Sequence, residues 1–158
     1  MKSSGTSTQA AIRQTRPFRS ARHEAVIALA LANEAVKRRF TGLFDERGIT
    51  GQQYNVLRIL RGAGPAGLPT LEIAERMVEQ SPGVTRLIDR LDVKGLVARE
   101  RGDDDRRQVI VRITKRGLAL LTELDLPVDR LDGEALGGLD DGEVAALIAL
   151  VTKVRLHP

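Results

Sequence analysis

The residues best suited to recognition chemistry lie in one stretch, Ser81-Pro82-Gly83-Val84-Thr85-Arg86-Leu87-Ile88-Asp89-Arg90-Leu91. Val84, Leu87, Ile88 and Leu91 recur at the spacing of one buried helical face. Ser81, Gly83, Thr85, Arg86, Asp89 and Arg90 then face outward. A guanidinium on such a face bonds O6 and N7 of guanine together, which suits Arg86 to base readout at roughly 1–3 kcal/mol of discrimination. Ser81, Thr85 and the amides of the helix N-terminus suit phosphate oxygens, and Gly83 lets backbone approach DNA closely. An ordinary amphipathic helix with a solvated polar face would carry the same residues, so this helix does not decide the matter alone.

A second group lies at Gly102-Asp103-Asp104-Asp105-Arg106-Arg107, a charged loop with no large apolar residue. Arg106 and Arg107 have no core to serve there. An arginine on a narrow tip fits a minor groove, where negative potential is focused, and Asp105 can pair with one of them and fix its direction. The alternatives are a solvated turn, or a metal site on Asp103–Asp105, which lacks a second cluster of ligands.

The rest of the chemical inventory is thin. The chain has no Cys, which removes disulfides, thiolate zinc sites and thiol nucleophiles. Its two histidines, His23 and His157, are far apart. No nucleophile–base pair, metal cluster or phosphate-binding glycine loop is present, so neither an enzyme nor a bound cofactor or metal is expected. The 158 residues carry a net charge of +4, and the charge is unevenly spread. Met1–Glu24 holds five bases and one acid, whereas Leu118–Pro158 holds eight acids and three bases. Such segregation suggests that one part meets a polyanion and another does not. No apolar leader or run of about 18 apolar residues occurs, so a cytoplasmic protein without membrane attachment is expected.

The elements that must position these groups follow from periodicity and punctuation. Residues 1–18 are polar and aperiodic and are expected to be disordered. A helix runs from about Arg19 to Arg47 with Val26, Leu29, Val36, Phe40, Leu43 and Phe44 near helical spacing, and Asn33 in the same stripe. At roughly 40 Å it outreaches a small domain, so part of it is expected to pack on another chain. Gly48 stops it, and Thr50-x-x-Gln53 caps a second helix bearing Tyr54, Leu57 and Leu60. After the Gly62–Gly67 turn, Thr70 is expected to cap a short third helix. Ser81-Pro82 is expected to open the fourth, and Lys94-Gly95 to end it. Leu96–Arg101 and Gln108–Ile113 read as a β-hairpin. Thr114 caps a fifth helix that Pro127 is expected to kink or interrupt. Asp140 and Glu143 form a capping box for a sixth.

A helix, a short break, a second helix and a hairpin with a cationic tip make the order of a winged helix-turn-helix, whose second helix enters the major groove. The residues Leu71-x-Ile73-Ala74-Glu75-Arg76, then Ser81-x-x-Val84-Thr85-Arg86-Leu87-Ile88-Asp89-Arg90-Leu91-x-x-Lys94-Gly95-Leu96-Val97, then Asp105-x-Arg107 with Ile113-Thr114-x-x-Gly117, resemble the MarR (multiple antibiotic resistance regulator) family. The resemblance implies a mainly α fold with a small β-hairpin wing. It assigns 19–48 to a dimerisation helix, 49–117 to the DNA-binding lobe and 118–158 to C-terminal dimerisation helices. It also implies a homodimeric repressor, with Arg107 in the minor groove braced by Asp105, released from double-stranded DNA by a small, often aromatic effector. The missing Cys sets the chain apart from thiol-sensing members. Phe40, Phe44 and Tyr54 are candidates to line an effector pocket, although residues of this type more often fill a helical core. A low-specificity architectural DNA binder is the alternative reading.

Overall fold

The computed structural model describes residues 7–79, 83–101 and 109–157, and the chain divides into two units, Met1–Phe40 and Thr41–Pro158. In the first unit, α1 (Ser7–Ala11) falls inside the segment expected to be disordered. Ala10 and Ala11 favour helix, and the side-chain amides of Gln9 and Gln14 both donate to the Arg16 carbonyl, at 2.9 and 2.7 Å. Phe18 meets the His23 ring edge-on at 5.5 Å, and His23 N–H donates to Ser20 Oγ at 3.1 Å, closing the entry to α2 (Ala21–Glu46). Val26, Leu29 and Val36 on that helix are exposed.

In the second unit the helix ends are set by backbone chemistry. Gly48 has φ 65°, the left-handed conformation glycine adopts without penalty. It donates to the Asp45 carbonyl at 2.9 Å while Ile49 donates to that of Phe44 at 3.0 Å, a Schellman stop. Thr50 and Gln53 make the expected reciprocal capping box at 3.2 Å each way, starting α3 (Gly51–Ala63). A 3-10 turn at Gly64–Ala66 leads to β1 (Leu68–Pro69) and α4 (Thr70–Arg76). Then come α5 (Val84–Val93), β2 (Val97–Arg101), β3 (Val109–Ile113), α6 (Lys115–Leu136) and α7 (Asp141–Leu156).

The three strands form an antiparallel sheet in the order β1-β3-β2, with Leu68 opposite Val111 and Val97 opposite Ile113. Strand β1 was not expected, because two residues carry no periodicity. Three further expectations are corrected. Thr70 is the first helical residue and Pro69 the N-cap. Gly83, with no side-chain cap, precedes α5, while Ser81 and Pro82 lie outside the described residues. The interruption allowed for at Pro127 is absent, since α6 runs continuously through it; the hydrogen bond its missing N–H would make to the Glu123 carbonyl is forgone beside exposed residues.

The core is built from α3, α4, α5, the sheet and the first half of α6. Val56, Leu57, Leu60, Ile73, Leu91, Val111, Leu121 and Leu124 are fully buried in it. Two ties hold its parts. Arg61 on α3 grips Asp125 on α6 with two parallel bonds of 2.9 Å. Thr114 caps α6 through Gly117 N–H at 3.1 Å and donates from Oγ1 to the Gly95 carbonyl at 2.8 Å. By contrast, α7 buries none of its residues. No helix among the described residues is long and apolar enough to cross a membrane.

Candidate nucleic-acid interface

Helix α5 buries Val84, Leu87, Ile88 and Leu91, the four residues that the spacing selects. The same rotation leaves Thr85, Arg86, Asp89 and Arg90 exposed, with Gly83 half-buried at the N-terminus. The helix is fixed at its far end by Gly95, at φ 68°. Gly95 N–H bonds the Asp92 carbonyl at 2.8 Å, and Leu96 N–H bonds that of Leu91 at 3.0 Å, with Leu91 and Leu96 both buried. Four apolar anchors and a Schellman stop make α5 a rigid platform for its outward side chains.

The approach to α5 is held from α3. Asn55 Oδ1 accepts from Val78 N–H at 3.1 Å, and Gln52 Nε2 donates to Glu79 Oε2 at 2.9 Å. On α4, Arg76 pairs with Glu72 one turn back. A third set of contacts was not foreseen. Arg99 on β2 pairs with Asp89, and its Nε lies 3.7 Å from Asp92 Oδ2. Asp89 therefore faces outward but serves the wing strand, leaving Thr85, Arg86 and Arg90 as the exposed donors of α5. A pair ten residues apart across a helix–strand turn leaves no periodic trace, so the sequence offered no signal for it. Beside it, Arg112 on β3 pairs with Glu100 on β2 and donates from Nε to the Pro65 carbonyl at 2.9 Å, stiffening the base of the hairpin. Ser81, Asp105, Arg106 and Arg107 lie outside the described residues, as does the Asp103–Asp105 run considered for a metal.

Of the candidate effector aromatics, Phe44 is 6 % exposed and stacks on Tyr54 with ring centroids 4.6 Å apart. The Tyr54 hydroxyl accepts from Arg58 at 3.1 Å. Phe40 is half-buried and belongs to the other unit. A cavity of about 410 Å³ opens elsewhere in the second unit, where the end of α2, the end of α5 and the start of α6 meet; none of these three aromatics lines it.

The Arg61–Asp125 grip perturbs both its members. The hydrogen bond from Arg61 holds the Asp125 carboxyl below the usual carboxylate range, and the bond to Asp125 raises Arg61 further above the titrating range.

Comparison with known proteins places this geometry. The MarR family model matches residues 49–109, which run from the entry of α3 to the start of β3. The HTH-type transcriptional regulator FarR of Neisseria gonorrhoeae is 31 % identical over 103 residues, 65 % of this chain and 69 % of FarR. The crystal structure of a MarR transcription factor from Planctomyces limnophilus is 40 % identical and superposes with a TM-score of 0.68, covering 86 % of this chain and 98 % of that one. A mutant MarR from E. coli, crystallised with operator DNA, is 30 % identical with a TM-score of 0.74, covering 80 % and 90 %. The chain belongs to the MarR family: it is a DNA-binding transcriptional regulator of the winged-helix fold.

Proposed function

We propose that this regulator is a homodimeric repressor that reads a pseudo-palindromic operator and is released from it by a small-molecule effector. The observation that carries the readout is the division of α5, whose four apolar anchors are buried while Thr85, Arg86 and Arg90 stand exposed. Arg86 reads a base edge in the major groove. Arg90, Thr85, Ser81 and the backbone at Gly83 meet phosphates. Arg107, with Arg106 beside it and Asp105 bracing it, enters the flanking minor groove.

Dimerisation is supported by apolar surface left without a partner inside one chain. On α7, Ile148, Leu150 and Val154 are about 60 % exposed, and on α2 Val26 is 63 % exposed. Surface of that kind on long helices marks an association face. Binding to chromosomal DNA puts the working protein in the cytoplasm.

DNase footprinting on the DNA upstream of its own gene tests the proposal. Two protected half-sites about one helical turn apart, roughly 34–36 Å, are expected. Protection without a discrete site would favour the architectural reading instead.

A further inference from the structure

We propose that the first unit is a second DNA contact, in which Arg13, Arg16, Arg19 and Arg22 grip phosphate oxygens without regard to sequence. The inference adds a binding surface to the DNA-binding activity and depends neither on dimerisation nor on an effector. The observation that carries it is charge. Met1–Phe40 holds eight bases and two acids, whereas Thr41–Pro158, which includes α5, holds seventeen bases and nineteen acids. The net positive charge of the chain therefore lies wholly in the first unit, while the unit that carries the recognition helix is formally negative. Neutralised phosphates supply much of the affinity for DNA, so the second unit alone is poorly equipped to hold a duplex. The four arginines recur at every third residue, and all are exposed. Among the described residues no carboxylate pairs with any of them, and Glu24 is the one acid before Glu34. A duplex is the polyanion that a regulator of this family already binds, which favours DNA over RNA or a lipid surface.

The backbone holds two of these side chains in place against local preference. Arg13 has φ 52°, the left-handed conformation that glycine ordinarily supplies at the end of a helix. Its N–H bonds the Ala10 carbonyl at 3.1 Å, and Gln14 N–H bonds that of Gln9 at 3.0 Å. Arg22 lies in the first turn of α2, where the helix dipole disfavours a positive charge. Local rules are broken chiefly at functional sites, and a phosphate beside Arg22 offsets the unfavourable charge. The two glutamine amides on the Arg16 carbonyl and the Phe18–His23 contact order the chain between Arg13 and Arg22. Order already present lowers the entropy lost when DNA engages the segment.

The test is fluorescence anisotropy of the full-length protein on its own upstream intergenic DNA and on a scrambled duplex, at salt from about 0.05 to 0.2 M. Each phosphate contact adds about 0.9 to the steepness of log affinity against log salt. A variant combining Arg13→Gln, Arg16→Gln, Arg19→Gln and Arg22→Gln is expected to lose between about 2 and about 3.6 from that slope per chain. With all four arginines engaged, the wild-type advantage over this variant shrinks roughly 10²-fold across the salt range. Both duplexes are expected to weaken equally, so the ratio between them stays constant, which a misfolded recognition unit does not give. Arg86→Ala is expected to do the reverse, lowering the ratio and leaving the slope nearly unchanged, so failure of this segment and failure of base readout are distinguishable. Lysine at the same four positions is expected to restore the slope. An unchanged slope in the glutamine variant overturns the contact. A lysine variant as weak as the glutamine one overturns the phosphate assignment. An unchanged slope on DNA, with binding to a single-stranded RNA of equal length lost, gives the segment another polyanion and overturns DNA as its partner.

Discussion

Two glycines in α6 permit a test of packing against helix propensity within one element. Replacing glycine by alanine in a helix interior is favourable by roughly 0.5–1 kcal/mol, because alanine loses less backbone entropy on folding. At Gly133 an added Cβ would meet nothing within 4 Å, so Gly133→Ala is expected to stabilise by about that amount. At Gly117 the added Cβ would lie 2.3 Å from the Leu96 carbonyl oxygen and 2.7 Å from Ile113 Cγ1. The Leu96 carbonyl cannot step aside freely, because it accepts from Thr114 N–H at 3.1 Å, where β3 turns into α6. Overpacking of this kind costs about 1–3 kcal/mol, which outweighs the propensity gain. Gly117→Ala is therefore expected to destabilise by roughly 1–2 kcal/mol, a fall in Tm of about 2–8 °C for a chain of this length. Urea denaturation at one fixed protein concentration gives both values, read from midpoints at constant slope. A Gly117→Ala protein as stable as wild type, beside a stabilised Gly133→Ala, would refute the close packing of α6 on the base of the wing.

Three further predictions concern recognition, pH and assembly. Arg86→Ala is expected to lower affinity for the specific site by about 1–3 kcal/mol while leaving non-specific binding nearly unchanged; equal losses on both DNAs in an anisotropy titration would assign Arg86 to phosphate. Asp125→Asn is expected to cost under about 1 kcal/mol at pH 7, since the Asp125 side chain is 42 % exposed and its pair with Arg61 is screened. Because the Asp125 pKa is lowered on folding, its stabilisation is full above the unfolded value near ~3.9 and is lost as pH falls through the folded one. The stability gap between wild type and variant should therefore close in strong acid, and a gap that stays constant there would contradict the ion-pair origin. Ile148→Glu is expected to convert dimer to monomer in sedimentation velocity, by placing a charge on exposed apolar surface of α7; a dimer of unchanged strength would remove α7 from the interface.

What the sequence disclosed depended on how local each signal was. The face of α5 was legible because its four buried residues repeat within one helix; on α3 Leu57 and Leu60 were legible in the same way, but Tyr54 is half-buried and the burial of Gln53 and Val56 went unread. The Thr50–Gln53 and Asp140–Glu143 boxes were legible because a cap and its partner sit three residues apart. Gly95 was readable as a stop for the same reason. Strand β1 was not, since Leu68 and Pro69 are defined by pairing with Val111 and Ile110 on β3, and a two-residue pairing leaves no pattern. Pro127 did not interrupt α6, and Leu124 and Val128 on either side of it are buried. The aromatics Phe44 and Tyr54 were legible as apolar contact residues by type, while their stacking on one another is a contact that residue type alone does not announce. The cavity in the second unit was invisible because Arg47, Lys94 and Arg116 in its lining come from three separate elements and each alone reads as a solvated charge.

The most direct test of the central claim is fluorescence anisotropy of the purified protein on its own upstream intergenic DNA, at about 0.15 M salt, with scrambled DNA as competitor. Specific readout through α5 predicts binding at least ~10³-fold tighter to the native fragment than to the scrambled one. Equal affinity for both fragments, or no binding to either even at low salt, would contradict it.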